Sequence, residues 1–95
     1  MRKAYVIIKT GVFNFVEIPT EVIGVFTNYA LAKNTFDKIV VQEEEIDRRN
    51  KYDCFEKTKE NYSGYIDGEY IRCHTNISLT GCDLDRIYYQ GVKND

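Results

Sequence analysis

The side chains best suited to metal or nucleophilic chemistry are the single histidine and the three cysteines. His74 adjoins Cys73, while Cys54 and Cys82 lie at irregular distances from them. Ligands of structural zinc usually come in pairs about two to four residues apart, and neighbouring residues of a strand point to opposite faces of a sheet. The spacing therefore does not predict a zinc site, and nothing in it brings His74 to a cysteine as the base of a thiol nucleophile. We expect free cysteines that pack as small apolar side chains.

Carboxylates offer a second kind of chemistry. Asp83 and Asp85 would share one face of an extended segment and could bind a cation or act in acid–base catalysis, but Asp-Leu-Asp beside Gly81 is more typical of a turn. The chain contains no Walker loop, no dinucleotide-binding fingerprint and no nucleophile elbow. We therefore predict that the protein is not an enzyme and holds no cofactor and no metal ion.

The most distinctive charged feature is the stretch of residues 42–47, in which four of six residues are acidic. On an exposed helix these carboxylates would present negative charge at a spacing that suits the nucleic-acid-binding groove of another protein. Acidic helices are also common solvated faces, and Arg48, Arg49 and Lys51 would neutralise part of this one through intrahelical pairs. The predicted partner-binding residues of this helix are Glu43, Glu44, Glu45 and Asp47.

Tyrosine is the other unusually frequent residue, with eight tyrosines and no tryptophan in the chain. A tyrosine combines a large apolar ring with a polar hydroxyl, which is common where proteins bind other molecules. A second set of predicted partner-binding residues therefore lies in the strand-like second half of the chain: Tyr65, Tyr70, Arg72 and Tyr88.

Length and charge limit the class of protein. Ninety-five residues predict one domain, residues 1–95, with a single core and no deep cofactor cleft beside it. A net charge of −2 and a pI near 5.4 argue against binding to nucleic acid or to an anionic membrane, which needs clustered lysine and arginine. No apolar run approaches the roughly 20 residues that span a bilayer, and the N-terminus begins a strand pattern rather than a signal peptide. The lack of a spanning segment and the strand pattern at the N-terminus, together with an odd number of cysteines, predict a cytoplasmic protein.

The first third of the chain predicts two strands. Residues 3–10 are apolar on both faces, which is typical of a central strand, and residues 21–26 form a second apolar segment. Residues 12–18 between them are also apolar and end at a proline, so we predict a hairpin with an elaborated connection. We expect Phe13 and Phe15 to fold back over the core rather than to form an exposed binding surface.

The longest helical pattern follows directly. Thr27 or Asn28 can cap its first turn, and apolar residues then recur at the spacing of one helix face: Ala32, Phe36, Ile39, Val40 and Ile46. The opposite face should be solvated and carries Lys33, Asn34, Asp37, Lys38, Glu44, Glu45, Asp47 and Arg48. We predict a helix over residues 28–50, with a buried strand as the alternative beyond residue 37, because residues 39–41 are β-branched.

The second half predicts one more helix and a run of strands. Residues 53–59 are expected to form a short helix with Cys54 and Phe55 inward, and Asp67-Gly68 predicts a type I′ hairpin turn. The strand after this turn covers residues 69–74 and could continue through 75–79, residues 81–83 turn, and residues 85–92 form the last strand. The predicted fold is α+β, with four to five antiparallel strands packed against one long or two shorter helices in the order ββα…βββ.

Part of the N-terminal half resembles small phage and prophage domains of unknown function. The residues concerned are Tyr-Val-Ile-Ile at 5–8, Val-Ile-Gly-Val-Phe-Thr at 22–27, and Ala32. In those domains a strand hairpin ends in Gly-Val-Phe, a serine or threonine caps a helix, and an alanine five residues later packs on the sheet. The resemblance covers residues 4–36 and implies a phage origin rather than an activity.

Small size, the lack of a catalytic motif, the phage-like segment and the local acidity favour a non-enzymatic binding protein. We expect a phage-encoded inhibitor, anti-CRISPR-like, that blocks a host defence protein in the host cytoplasm. Its partner could be a nucleic-acid-binding effector, with no direct contact of the inhibitor to nucleic acid or membrane. The alternative is a homo-oligomer that sequesters a small ligand such as a nucleotide between subunits. Its ligand would stack on Tyr65, Tyr70, Tyr88 and Tyr89 and pair with Arg72 or Arg86.

Overall fold

Five antiparallel strands form one sheet, and a single long helix packs on one of its faces. The computed structural model describes residues 3–83. In chain order the elements are β1 (Lys3–Phe13), β2 (Val16–Phe26), α1 (Tyr29–Arg49), β3 (Cys54–Lys57), β4 (Asn61–Asp67) and β5 (Arg72–Asp83). The strands are ordered β2-β1-β5-β4-β3 across the sheet. The predicted α+β class is confirmed, with one helix rather than two in this part of the chain.

β1 is an interior strand, as its two apolar faces predict. It pairs with β5 over its whole length and with β2 from Tyr5 to Phe13. β1 continues through Gly11 to Phe13 instead of ending at Thr10, because Gly11 lies directly against β5. A Cβ atom at Gly11 would be 2.8 Å from the carbonyl oxygen of His74. Gly11 thus allows a close approach of two strands and does not begin a turn.

The turn between β1 and β2 has two residues, so the predicted elaborated connection is wrong. Asn14 and Phe15 both have positive φ, 49° and 70°, as the central residues of a type I′ turn require. Residues 12–18 are divided between the turn and the two strands. Pro19 lies within β2, where the edge of the sheet tolerates its missing N–H.

A hairpin joins β4 and β5 as predicted, but its turn is not type I′. Asp67 faces Arg72, and the loop between them has four residues, 68–71. The Gly68 N–H donates to the Ile71 carbonyl oxygen at 2.8 Å, and none of the described glycines has a positive φ. A four-residue loop closed by this bond does not need the left-handed backbone of a two-residue turn. The strand after it therefore begins at Arg72 and not at residue 69.

Two further predictions for the second half are wrong. Residues 53–59 do not form a helix, because β3 pairs with β4 and makes the second edge of the sheet, with Phe55 packed against the core. Residues 81–83 do not turn, because they pair with the first residues of β1 and so extend β5. In both places, pairing with a neighbouring strand determines the backbone conformation despite the local sequence preference. The continuation of the strand through 75–79 is confirmed, and the predicted strand 85–92 lies outside the described residues.

α1 is one continuous helix, as the pattern over residues 28–50 predicts. The Asn28 side chain caps its first turn by accepting a hydrogen bond from the Leu31 N–H at 2.9 Å. Arg48 and Arg49 place positive charge at its C-terminus, where it interacts favourably with the negative end of the helix dipole. The β-branched residues 39–41 remain helical because Val40 is buried against the sheet. Within residues 3–83, no helix combines the length and the apolar character needed to cross a membrane.

The core lies between α1 and one face of the sheet. Its buried residues come from the helix and from β1, β4 and β5: Ala32, Phe36, Val40, Ile7, Tyr62, Ile77 and Leu79. No element of residues 3–83 packs on the opposite face of the sheet, which we call the open face.

Phe36→Ala should lower the free energy of unfolding by about 3 to 5 kcal/mol, because the ring is 2% exposed and its removal leaves a cavity in the core. Lys33→Ala is the matched control one turn earlier. Lys33 forms an exposed ion pair with Asp37, so its loss should change stability by less than about 1 kcal/mol. Denaturant unfolding of both variants measures the difference. Equally small losses would contradict this packing of α1.

Candidate functional site

The predicted acidic surface of α1 is divided between the interior and the exterior. Glu43 and Asp47 are 8% and 1% exposed, so the expected solvent exposure is wrong for these two residues. They continue the buried stripe of the helix, which consists of Ala32, Phe36, Val40, Glu43 and Asp47. Ile46, predicted to face inward, is 44% exposed. Steps of three or four residues from Phe36 along one face of the helix lead through residue 40 to residues 43 and 47. Helix geometry therefore turns these two positions inward, although both are acidic.

The two buried acids belong to a cluster under the C-terminal half of α1, which we call the buried polar cluster: Lys9, Glu43, Asp47, Tyr62 and Thr75. Lys9 Nζ is 2.8 Å from Glu43 Oε1. The Tyr62 hydroxyl donates to Asp47 Oδ2 at 2.6 Å, and the Thr75 hydroxyl donates to Asp47 Oδ1 at 3.4 Å. No buried side-chain polar atom of residues 3–83 lacks a hydrogen-bond partner. The buried polar atoms of the cluster therefore all have hydrogen-bond partners, as buried polar groups usually do.

Burial shifts the protonation of this cluster. The pKa of Asp47 is raised to about 7, mainly by burial and in addition by the adjacent Glu43, while the hydrogen bonds from Tyr62 and Thr75 oppose the rise. Burial, together with the Asp47 carboxylate, also raises the pKa of the Tyr62 hydroxyl. Tyr62 therefore stays a hydrogen-bond donor at neutral pH, where Asp47 is partly protonated.

Glu44 and Glu45 are the acids of the run that face outward, and both are ion-paired. Glu44 is 2.7 Å from Lys57 Nζ and 2.8 Å from Arg48 Nη2. The hydrogen bond from Lys57, followed by that from Arg48, lowers the pKa of Glu44. Glu45 Oε1 is 3.3 Å from Arg49 Nη2. The predicted intrahelical pairs with Arg48 and Arg49 are confirmed, and they compensate most of the negative charge on the outer side of α1.

The open face presents polar and aromatic side chains from β5, β4 and β3. The strand register places them in two neighbouring rows, His74–Tyr65–Cys54 and Asn76–Ser63–Glu56. The rings of Tyr65 and His74 meet edge to face with their centroids 5.9 Å apart. A hydrogen bond with Cys54 raises the pKa of the Tyr65 hydroxyl. This face can therefore offer both a ring and hydrogen-bonding groups to a ligand.

The cysteines fall on both sides of the sheet. Cys73 is buried on the helix side, and the neighbouring His74 lies on the open face, as the alternation of a strand predicts. Cys54 faces Tyr65 on the open face instead of pointing inward from a second helix. Within the described part of the chain, no group of three or more histidine, cysteine, aspartate or glutamate side chains is arranged to hold a metal ion.

A cavity of about 320 Å³ lies beside these rows, at the end of the face next to the β4–β5 loop. Its lining includes Tyr65 and Arg72, both predicted to bind a partner, and His74. Ser63 and Glu56 also line it. The alternation of Ser63, Tyr65 and Asp67 along the chain is a strand signal that could have placed Ser63 on the same face as Tyr65. No sequence signal identifies Glu56, because residues 53–59 carry a helix-like pattern.

Exposed apolar side chains gather where the two hairpins end on the same side of the molecule. The Phe15 N–H donates to the Arg72 carbonyl oxygen at 3.1 Å, which holds the β1–β2 turn beside the loop 68–71. We call this surface the hairpin end, and its exposed residues are Phe13, Phe15, Val16, Tyr70 and Ile71. Tyr70, a predicted partner-binding residue, is 85% exposed. Phe13 and Phe15 are 63% and 56% exposed, so the prediction that they fold back over the core is wrong. A two-residue turn is too short to bring their rings to the core.

Phe15 occupies a backbone position that favours glycine. It is the second central residue of the turn, and its φ of 70° is rare for a bulky side chain. Such a conformation costs on the order of 1 to 3 kcal/mol. Asn14, by contrast, is a residue type that tolerates the left-handed region. The exposed ring of Phe15 does not recover this cost in the core.

No protein-family model, curated protein or solved structure matches this chain. The function is therefore inferred from the geometry of three places: the hairpin end, the cavity on the open face and the buried polar cluster. The fold brings Tyr65, Tyr70 and Arg72 to one end of the sheet. It keeps Glu43 and Asp47 under the helix on the other face, and Tyr88 lies outside the described residues.

Gly64→Ala should destabilise the fold by more than about 1 kcal/mol. A Cβ atom at Gly64 would lie 2.5 Å from the Tyr62 hydroxyl oxygen and 2.7 Å from Asp47 Oδ2, so it would disrupt their hydrogen bond. Gly68→Ala is the control, because a Cβ atom there meets Ile71 at an ordinary 3.6 Å. Thermal unfolding compares the two variants with the wild type. Equal melting temperatures for the two variants would show that the cluster is not packed as described.

Proposed function

We propose that this protein is a non-enzymatic binding protein that acts by protein–protein contact through the hairpin end. The observation that carries the proposal is Phe15, an exposed phenylalanine held at a φ of 70°. Strained residues persist mainly where function requires them, and exposed aromatic side chains are common centres of protein interfaces. A glycine at this position would stabilise the turn, so the ring is expected to contribute through a partner.

The surroundings of Phe15 support the same function. Phe13, Val16, Tyr70 and Ile71 extend the apolar surface on both sides of it. Contiguous exposed apolar surface on a globular protein commonly marks an interaction site. Arg72 lies next to this surface and is exposed, and arginine is enriched in interfaces because it combines apolar stem, charge and several donors. This surface suits a partner with an apolar pocket that has carboxylates at its rim.

The hairpin end is favoured over the acidic side of α1 as the contact surface. Glu43 and Asp47 are buried, and Glu44 and Glu45 already pair with basic side chains of this protein. Carboxylates in such pairs present less field to a partner and must be desolvated together with their counter-ions. Glu45, which is the most exposed of the four, remains available to the rim of an interface.

The proposed partner is a host defence protein, such as a CRISPR effector, that a phage-encoded inhibitor meets in the host cytoplasm. This part of the proposal depends on the resemblance of residues 4–36 to phage domains. A protein that occupies the working surface of another needs no catalytic group. A few well-placed aromatic side chains can supply most of the binding energy.

Phe15→Gly should stabilise the fold and abolish binding. Glycine adopts positive φ without steric cost, so the melting temperature should rise by about 4 to 8 °C, the shift that about 1 kcal/mol produces in a domain of this size. Loss of the ring should remove the centre of the contact. Thermal unfolding measures the first effect, and capture of partners from a lysate of the bacterial host measures the second.

The capture experiment compares tagged wild-type protein, Phe15→Gly and Lys33→Ala, with bound proteins quantified by mass spectrometry. A partner that the wild type and Lys33→Ala retain, and that Phe15→Gly loses, supports the proposal. Because Phe15→Gly is expected to be the more stable protein, its loss of binding could not be attributed to unfolding. Equal retention of the same partners by Phe15→Gly would overturn the assignment of the hairpin end.

A second candidate function is favoured by the cavity beside Tyr65 and Arg72. In this function the protein is a homo-oligomer that sequesters a small ligand such as a nucleotide, with a base stacked on Tyr65 and a phosphate paired with Arg72. Glu56 and Asp67 also line the cavity and would repel a phosphate, which makes this the weaker candidate. Tyr89 and Arg86, which would share the ligand, lie outside the described residues.

If the second function is correct, Arg72→Ala should weaken the binding of ATP or a cyclic dinucleotide at least about tenfold, because a charge-assisted pair with phosphate is lost. Arg49→Ala, which removes an exposed arginine of α1, should leave affinity unchanged. Isothermal titration calorimetry measures affinity, and native mass spectrometry measures the number of subunits. A monomer that binds neither compound excludes this function and leaves the protein-binding proposal standing.

A further inference from the structure

The buried polar cluster contains more negative charge than it has cations to balance. Glu43 and Asp47 lie one helical turn apart, both buried, and Lys9 pairs with Glu43. The groups that bond to Asp47 are the neutral hydroxyls of Tyr62 and Thr75. Two ionised carboxylates beside one ammonium group would leave a net negative charge around the almost fully buried Asp47, which is unfavourable. A proton on Asp47, whose hydrogen-bond donors are neutral, removes that charge.

The groups around the pair come from every element that packs on it. They are Lys9 of β1, Glu21 of β2 opposite Lys9, Glu44 of α1, Tyr52 after the helix, Tyr62 of β4, and Cys73 and Thr75 of β5. Glu44 is neutralised by Lys57 and Arg48. Burial raises the pKa of Tyr52, so this residue and Tyr62 stay neutral at physiological pH. The pair of Glu43 and Asp47 therefore contains the group of this cluster that can change charge near neutrality.

Water reaches the Lys9 side of the cluster, where a cavity of about 190 Å³ borders Lys9 and Thr75, but Asp47 itself has little contact with solvent. Gly64 of β4 lies so close to the cluster that even a methyl group would contact Asp47 Oδ2 at 2.7 Å. Asp47 is 1% exposed. Full hydration of the ionised carboxylate therefore requires the C-terminal half of α1 to move away from β4 and β5. Deprotonation and movement of this part of the helix are therefore coupled.

The movement would be limited to one half of the helix. Ala32, Phe36 and Val40 anchor the first half in the apolar core, and none of them titrates. The second half leads into residues 50–53, where the Tyr52 N–H donates to the Asp47 carbonyl oxygen at 3.0 Å. Release of the Asp47 side chain would therefore loosen the last turns of α1 and the connection to β3.

We propose that Asp47 holds a proton in the packed state and that its loss releases the C-terminal half of α1, so that the fold contains a pH-sensitive latch. The sign follows from the raised pKa of Asp47, about 7, against 3.8 for an ordinary aspartate. The folded state binds a proton more tightly than the unfolded state, so the stabilisation is complete at acidic pH. It is lost progressively as the pH rises from about 4 to about 7.

The test is hydrogen exchange of the backbone amides of residues 43–52 in the wild type, Asp47→Asn and Asp37→Asn, at pH 5.5, 7.0 and 8.5. Protection factors correct for the intrinsic effect of pH on exchange. In the wild type, protection of these amides should fall at least about tenfold between pH 5.5 and 8.5, because each pKa unit corresponds to a factor of ten. The amides of residues 32–40 should keep their protection. Asp47→Asn should show no such fall. Asp37→Asn, which changes an exposed acid, should behave as the wild type.

A second measurement keeps the test decisive if Asp47→Asn does not fold. The carboxyl carbon of Asp47 in the wild-type protein can be titrated by NMR, and it should titrate well above the ordinary range of an aspartate. Glu43→Gln should lower that midpoint, because the like charge is removed. Titration of Asp47 near its ordinary pKa, or wild-type protection that does not change with pH, would overturn the latch.

Discussion

The pairing of β1 with β5 is the interaction on which the rest of the structure depends. It joins residues 3–13 to residues 73–83 in antiparallel register at the centre of the sheet. Because the two strands run in opposite directions, the turn after β1 and the loop before β5 lie at the same end, which is why the Phe15 N–H reaches the Arg72 carbonyl oxygen. The hairpin end is therefore a consequence of strand order, assembled from two segments that are distant in the chain.

The pairing of β5 with β4 shapes the surface under α1. Gly64 and Thr75 face each other across β4 and β5, and both lie against Asp47, so these small residues leave space for it under the second half of the helix. Asp47 occupies that space and takes its hydrogen bonds from hydroxyl groups of the sheet. An aliphatic side chain could fill the same space with less desolvation cost, so the buried acids make the packing of the helix end conditional on protonation.

Two features thus lower the stability of this fold without serving its core: the buried acids of α1 and the left-handed Phe15. Local rules of sequence and structure agree elsewhere, in the Asn28 cap, the apolar stripe of α1 and the two-sided burial of β1. Natural proteins depart from such rules mainly at places with a function. The two departures are of different kinds, since Phe15 concerns a surface that a partner can reach, and Asp47 concerns a packing that can open.

By itself the sequence determined the α+β class, the extent of α1 and the central position of β1, because capping, helical periodicity and two-sided apolar patterns act within a short segment. It predicted Ile46 to be buried and Asp47 to be exposed, and the structure reverses the two. The space for Asp47 comes from Gly64 and Thr75, on strands distant from α1 in the chain. Tertiary structure also placed the left-handed turn at Phe15 instead of Gly68 and made residues 54–57 a strand. Strand pairing and burial between distant segments are worth more than the fraction of a kcal/mol by which local propensities differ, roughly 0.7 kcal/mol or less per residue.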